Sequence, residues 1–275
     1  VTLWNVLKEG LRSVRAGRQE APPAPAARPA PAGAGEFVFH IDWALPGLLG
    51  LLSGYRFHTV LDVGSGRGEH TRLLRHFGKA VYSVDSNFEA DYVGDFMQVD
   101  FDRQFDAVWC SHVLEHQRNV GAFLEKLRSL LVVGGVLAIS VPVHPRERLI
   151  AGHLTSWNAG LLCYNLVLAG FDCGAARLLQ TQDLSLLVTR TAEAPVLEVE
   201  SGIAGGELGE ADPFAWLRAY FPFPVEQSGN AEVLECNWGG YDYALPPAVA
   251  AGEVVIVGRF TPAGGLRFAC RGPEA

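Results

Sequence analysis

The sequence predicts an α/β fold with a doubly wound, mostly parallel sheet, and three observations carry that expectation. Short apolar runs stand at 59–63 (TVLDV), 80–84 (AVYSV), 105–110 (FDAVWC) and 136–142 (VLAISVP), the length of strands buried on both faces. Amphipathic segments at 69–77, 119–131 and 156–169 alternate with them as helices, an order that calls for right-handed crossovers. A glycine-rich turn, Gly64–Gly68, joins the first run to the first of these helices.

Ahead of this unit, Leu3, Trp4, Leu7, Leu11 and Val14 recur at helical spacing. That reads as a short amphipathic helix within 1–20. Residues 21–35 hold five Pro, seven Ala and two Gly, so they form an extended linker with few backbone donors. A helix tethered in this way is either a frayed end or a surface that docks on a second copy, so a homodimer stays open. The α/β domain itself spans 36–190. Near its end, 173–179 and 184–190 read as two more strands around a polar turn at Thr181–Asp183. The remainder, 191–275, opens with six acids and no basic residue up to 212. It continues with an aromatic-rich stretch that forms a lid or a packing segment, and closes with a strand at 254–260.

Composition excludes several classes. Hydrophobic residues make up 49% and charged residues 19%, enough for a core in a 275-residue chain. A formal charge of −8 and a pI near 5.5 argue against a basic face for nucleic acid. The longest early apolar run, Trp43–Leu52, is half of the about 20 residues that cross a membrane. Five scattered cysteines without C-x-x-C spacing fit neither a disulfide framework nor a thiolate metal site. They suit a reducing cytoplasm.

The chemistry concentrates in VLDVGSGRGEHT (60–71). Glycines after a buried strand let the backbone approach a ligand, and the following helix offers free N–H groups. The dinucleotide pattern G-x-G-x-x-G would need glycine at 69, where the chain has Glu69. Asp62 beside the turn repels a pyrophosphate and suits an ammonium group. Asp85 ends the second run, where a carboxylate can take both hydroxyls of a ribose. Asp95, in Gly94–Asp95–Phe96, is a third acid at the same presumed sheet edge.

With these residues in place the chain resembles the class I S-adenosylmethionine-dependent methyltransferases. The matching segments are 60–71, VYSVD (81–85), GDF (94–96), FDAVWCSHVLEH (105–116) and LLVVGGVLAISVP (130–142). In the last, Val132 and Val133 replace the family's Lys-Pro. The resemblance implies a Rossmann-like class I methyltransferase fold with an extra C-terminal segment, and S-adenosylmethionine as cofactor. It places Gly64, Ser65 and Gly66 at the methionine moiety, Asp62 at its amine, and Asp85 and Ser86 at the ribose. Asp95 and Phe96 fall at the adenine, and Ser111 and His112 close over the cofactor.

Methyl transfer to a hydroxyl also needs the acceptor aligned and its proton removed. In S-H-V-L-E-H (111–116), His112, Glu115 and His116 would share one helix face, with His153 following in G-H-L-T-S-W. Three readings compete. One is structural, through capping and mutual pairing. The second makes His116, His153 or His112 the general base. The third is a divalent metal held by the two histidines and the glutamate together with His153. It is drawn from the E-x-x-E-H helix and later histidine with which ubiquinone-pathway and small-RNA 2′-O-methyltransferases bind a metal. This chain has His112 where those have glutamate, and the metal reading is the least favoured. Trp109 and Cys110 read as core, and Trp157 as the aromatic at the acceptor. The function that follows is methylation of a small molecule, at the oxygen of a sugar, glycan precursor or secondary metabolite. The alternatives are an inactive cofactor-binding scaffold and, less favoured, a nicotinamide-dependent oxidoreductase.

Overall fold

The structure is a computed structural model that describes residues 37–41, 43–143, 149–180, 183–195, 218–224, 255–260 and 266–271. The expected helix at 3–14, the linker at 21–35, the acidic residues beyond 195 and the aromatics at 214–217 and 238–243 lie outside them.

Seven strands form the main sheet: β2 (Thr59–Val63), β3 (Ala80–Asp85), β4 (Tyr92–Val93), β5 (Phe105–Ser111), β6 (Leu131–Pro142), β7 (Arg177–Gln180) and β8 (Asp183–Thr189). Their order is β4-β3-β2-β5-β6-β8-β7. The pairs from β4 to β6 are parallel, and β8 runs antiparallel to both β6 and β7. The expected mostly parallel, doubly wound sheet is therefore what forms. A second sheet, in the order β1-β10-β9, is antiparallel and joins β1 (Phe37–Ile41), β9 (Val255–Phe260) and β10 (Leu266–Arg271).

Alternation along each strand fills two cores. Leu61, Val108 and Leu137 face one side, where α3 (Val120–Ser129) and α4 (Ala159–Leu168) contribute Phe123, Leu127, Leu162 and Leu166. Val60, Ala107, Trp109 and Ala138 face the other, against α1 (Leu45–Gly54) and α2 (Glu69–His76). Trp109 and Cys110 are fully buried, as the sequence suggested. Among the described residues no helix is long and apolar enough to cross a membrane.

Four local expectations change, and in one of them the strand expected at 173–179 begins only at Arg177 and runs to Gln180 after a turn. The strand expected at 136–142 starts at Leu131, because a register shift between Phe105 and Ala107 absorbs the Gly134–Gly135 segment into a bulged β6. The segment 111–116 is not an α-helix. His112 has φ 55°, and only Leu114–His116 make a single 3-10 turn. Asp183 is not a turn residue but the buried first residue of β8, paired with Pro142 at the end of β6.

Candidate active site

The C-terminal ends of β2, β3, β5 and β6 bring the predicted residues to one edge. At β2 the chain turns through Gly64, Gly66 and Gly68, with φ of 73°, 53° and 73°. The amides of Gly64 and Ser65 donate to the Val84 carbonyl at 2.9 and 3.2 Å, which ties the turn to β3. A Cβ at Gly64 would strike the Val113 side chain, whereas one at Gly66 would meet nothing within 4 Å. Gly66 thus faces open space in a conformation that L side chains rarely adopt. The Ser65 hydroxyl is buried without a hydrogen-bond partner. A shallow cleft of about 380 Å³ opens beside the turn, lined by Ser65, Gly66, Thr71, Arg72, Arg75 and Asp91, and none of Asp62, Asp85 and His112 is among its walls.

The three predicted acids occupy different environments. Asp62 is buried and accepts the Thr71 hydroxyl proton at 2.5 Å. Burial pushes its carboxyl up to about 7, against the pull of the Thr71 bond and of Arg75. Asp85 closes back on the glycine turn: its Oδ2 accepts from the Gly66 amide at 2.8 Å, and its Oδ1 from the amides of Asn87 and Phe88 at 2.8 and 3.0 Å. Asp95 is exposed and caps the following 3-10 turn, accepting from the Met97 amide at 2.9 Å, while Phe96 packs into the core. Ser86 is exposed beside Asp85. Ser111 ends β5.

The histidine turn follows directly. His112 presents Nε2 to Asp183 Oδ1 at 3.0 Å, and its Nδ1 stands 3.6 Å from Glu115 Oε1. A carboxylate oxygen only accepts, so Nε2 carries the proton. His116 holds Nδ1 2.8 Å from the Gly152 carbonyl, which fixes the proton on Nδ1, and its Nε2 lies 3.8 Å from Glu115 Oε1. Glu115 is fully buried, and neither carboxylate oxygen has a hydrogen-bond partner. Leu154 and Thr155 donate to the Glu115 backbone carbonyl at 2.7 and 3.3 Å, which draws the 152–155 loop against this turn. In consequence the His153 ring meets the His116 ring edge-on at 5.0 Å. One ligand atom from each of Glu115, His116 and His153 lies within 4.8 Å of the others, a set that His112 does not join.

Two residues near this site escaped the sequence reading, and one was misassigned. Asp183 is brought to His112 across 71 positions by the antiparallel return of β8, and no local signal marks such a contact. Trp43 is 52% exposed, its ring 5.5 Å from that of His112. Trp157, expected at the acceptor, is buried at 8% exposure, because it precedes α4 and packs into the core.

A family model described as "Methyltransferase domain" matches residues 14–166, more than half of the chain. The chain belongs to this methyltransferase family. The class I resemblance read from the glycine turn and its acids is thereby borne out, and the chain is a methyltransferase. No curated protein matches it in sequence. Solved structures similar to this methyltransferase include the 1,6-didemethyltoxoflavin N1-methyltransferase of Burkholderia thailandensis with its substrate and S-adenosylhomocysteine (21% identity, 54% of this chain and 79% of that one, TM-score 0.44). Another is a DhpI–SAH complex (22%, 54% and 84%, 0.45). The sugar N-methyltransferase KedS8 of a Streptoalloteichus species is a third (20%, 49% and 81%, 0.40).

Proposed function

We propose that this methyltransferase takes its methyl group from S-adenosylmethionine and delivers it to an oxygen of a small molecule. The observation that carries the cofactor assignment is the glycine turn: Gly66 opens onto empty space in a left-handed conformation, flanked by Asp62 and by Asp85 at the tip of β3. The sulfonium cofactor, when bound, supplies an electrophilic methyl group and a neutral thioether leaving group. Asp62 would hold its ammonium and Asp85 and Ser86 its ribose hydroxyls. Asp95 would border its adenine end, with Phe96 packed in the core beside it. Ser65 supplies an uncommitted hydroxyl.

His112 is the base that the geometry favours over His116 and His153. Its Nε2–H is held by buried Asp183, leaving the Nδ1 lone pair to receive the acceptor's proton as the new C–O bond forms. A sugar, glycan precursor or secondary metabolite fits this chemistry. Calorimetry with S-adenosylmethionine, S-adenosylhomocysteine and NAD tests the reading. Binding of the first two but not the third supports it, and the reverse pattern removes it.

A second reading has its own observation, the buried and unpartnered Glu115 carboxylate beside His116 and His153. Ligand atoms about 2.0–2.2 Å from one ion lie somewhat closer together than these, so a divalent transition metal would draw the three slightly inward. A chelator should then abolish turnover, with added metal restoring it. A histidine base predicts no response to the chelator.

A further inference from the structure

The peptide group between Trp43 and Ala44 is held at both ends. Its carbonyl lies 3.2 Å from His70 Nε2, and its N–H donates to Asp183 Oδ2 at 2.8 Å. His70 Nδ1 accepts the Trp109 indole proton at 3.0 Å, so the imidazole proton sits on Nε2 and donates to Trp43. The other oxygen of Asp183 meets His112 Nε2. Ala44 and His112, with φ of 56° and 55°, are the two non-glycine residues of positive φ among the described residues. One buried carboxylate therefore holds both strained positions. Such strain persists only where the surroundings over-determine it, and it gathers at functional sites.

The result is an exposed indole, fixed from behind, tilted 45° to the His112 ring at the sheet edge where β5 ends. We propose that Trp43 and His112 form the acceptor subsite, that it takes a hydroxylated ring stacked on the indole, and that Asp183 is the positioning residue for both walls. This rests on the methyltransferase reading above. Indole faces bind flat π surfaces and the C–H face of sugars alike. The shared requirement is a ring face with a hydroxyl turned toward His112 Nδ1.

The test uses the full chain, with and without saturating S-adenosylhomocysteine, titrated with 4-nitrophenol and with methyl β-glucoside. One of the two probes should bind, and which one separates an aromatic from a sugar acceptor. Trp43→Ala should weaken that probe at least tenfold, Trp43→Phe should retain most of the affinity, and S-adenosylhomocysteine affinity should stay within twofold in both. Asp183→Asn should also weaken the probe. Because an amide N–H would then face the imidazole, it should move the His112 proton from Nε2 to Nδ1, visible in long-range ¹⁵N–¹H spectra. Unchanged probe affinity in Trp43→Ala, or no binding of either probe to the wild-type chain, overturns the subsite. Loss of S-adenosylhomocysteine binding by the wild-type chain instead overturns the cofactor reading, and the probe titrations without it still decide the subsite.

Discussion

The two edges of the main sheet differ in whether every carboxylate finds its donors. At the edge where β2 and β5 begin, Asp106 Oδ2 accepts from the His58 amide, the Thr59 amide and the Thr59 hydroxyl, at 3.0, 2.8 and 3.0 Å. Burial pushes its carboxyl up, but those bonds outweigh burial and hold it below the ordinary value. At the edge where the same strands end the carboxylates divide: Asp85 and Asp183 hold several donors each, whereas the Asp62 carboxyl has one hydroxyl partner and the Glu115 carboxylate has none. A carboxylate that is already satisfied fastens strands together. One left short of donors can take them from something that arrives later, and both that fall short, Asp62 and Glu115, lie at the second edge.

The largest expected effect lies at the histidine turn. His112→Ala should lower kcat by about 10²–10⁴ in a cooperatively folded variant, the usual contribution of a positioned base. Steady-state turnover on any accepted substrate measures it, and a full rate would end the base assignment. Next comes Asp85→Ala, expected to weaken cofactor binding by about 10- to 100-fold through loss of charge-assisted hydrogen bonds. Equal affinity by calorimetry in a cooperatively folded variant would remove Asp85 from the ribose. On the fastening edge, Asp106→Ala should destabilise by about 1.5–3 kcal/mol while leaving cofactor affinity unchanged. A denaturant midpoint that does not move would show that the contrast between the edges is drawn wrongly.

Smaller effects should come from pH. Because the Asp62 carboxyl is raised to about 7, its charged form, which an ammonium needs, is complete only above that value. Cofactor affinity should therefore rise from pH 6 to pH 8 with proton release, detectable in buffers of different ionisation enthalpy and absent in Asp62→Asn. Stability carries two opposing slopes. The folded state keeps the Asp62 proton between 3.8 and about 7, so this group stabilises less as pH rises through that window. His70, lowered from 6.5 to about 4 chiefly by burial, stabilises less as pH falls through its own window. A shallow wild-type profile should tilt in opposite directions in Asp62→Asn and His70→Gln. Parallel profiles would refute the pairing.

What the sequence disclosed follows the range of the interactions. Strands β2, β3 and β5 were legible because burial on both faces leaves continuous apolar runs, and the glycine turn because its backbone demands are local. Helix α1 went unread, since its leucines surround it and leave no polar face to set a period. The start of β6 was hidden by glycines that a bulge absorbs. The predicted site residues at 62–66, 85–86, 95 and 111–112 gather at one edge because strand ends dictate it. Asp183 and Trp43 reach His112 only through strand pairing and helix docking, which no short motif announces. Trp157 misled because an aromatic beside a histidine looks alike on paper whether it lines a site or fills a core.

The register of the small sheet has a mechanical consequence. β1 pairs with β10 so that Phe37 lies opposite Cys270 and Ile41 opposite Leu266. The N-terminal end of β1 and the C-terminal end of β10 thus lie at the same end of the ladder, beside Phe37 and Cys270. Tension applied to the two flanking segments would load the hydrogen bonds one rung at a time, as in a zipper, rather than shearing them together. The clasp should part at low force while the seven-stranded sheet stays closed. Because Ile41 is separated from Trp43 by a single residue, the last rung to open is the one nearest the indole.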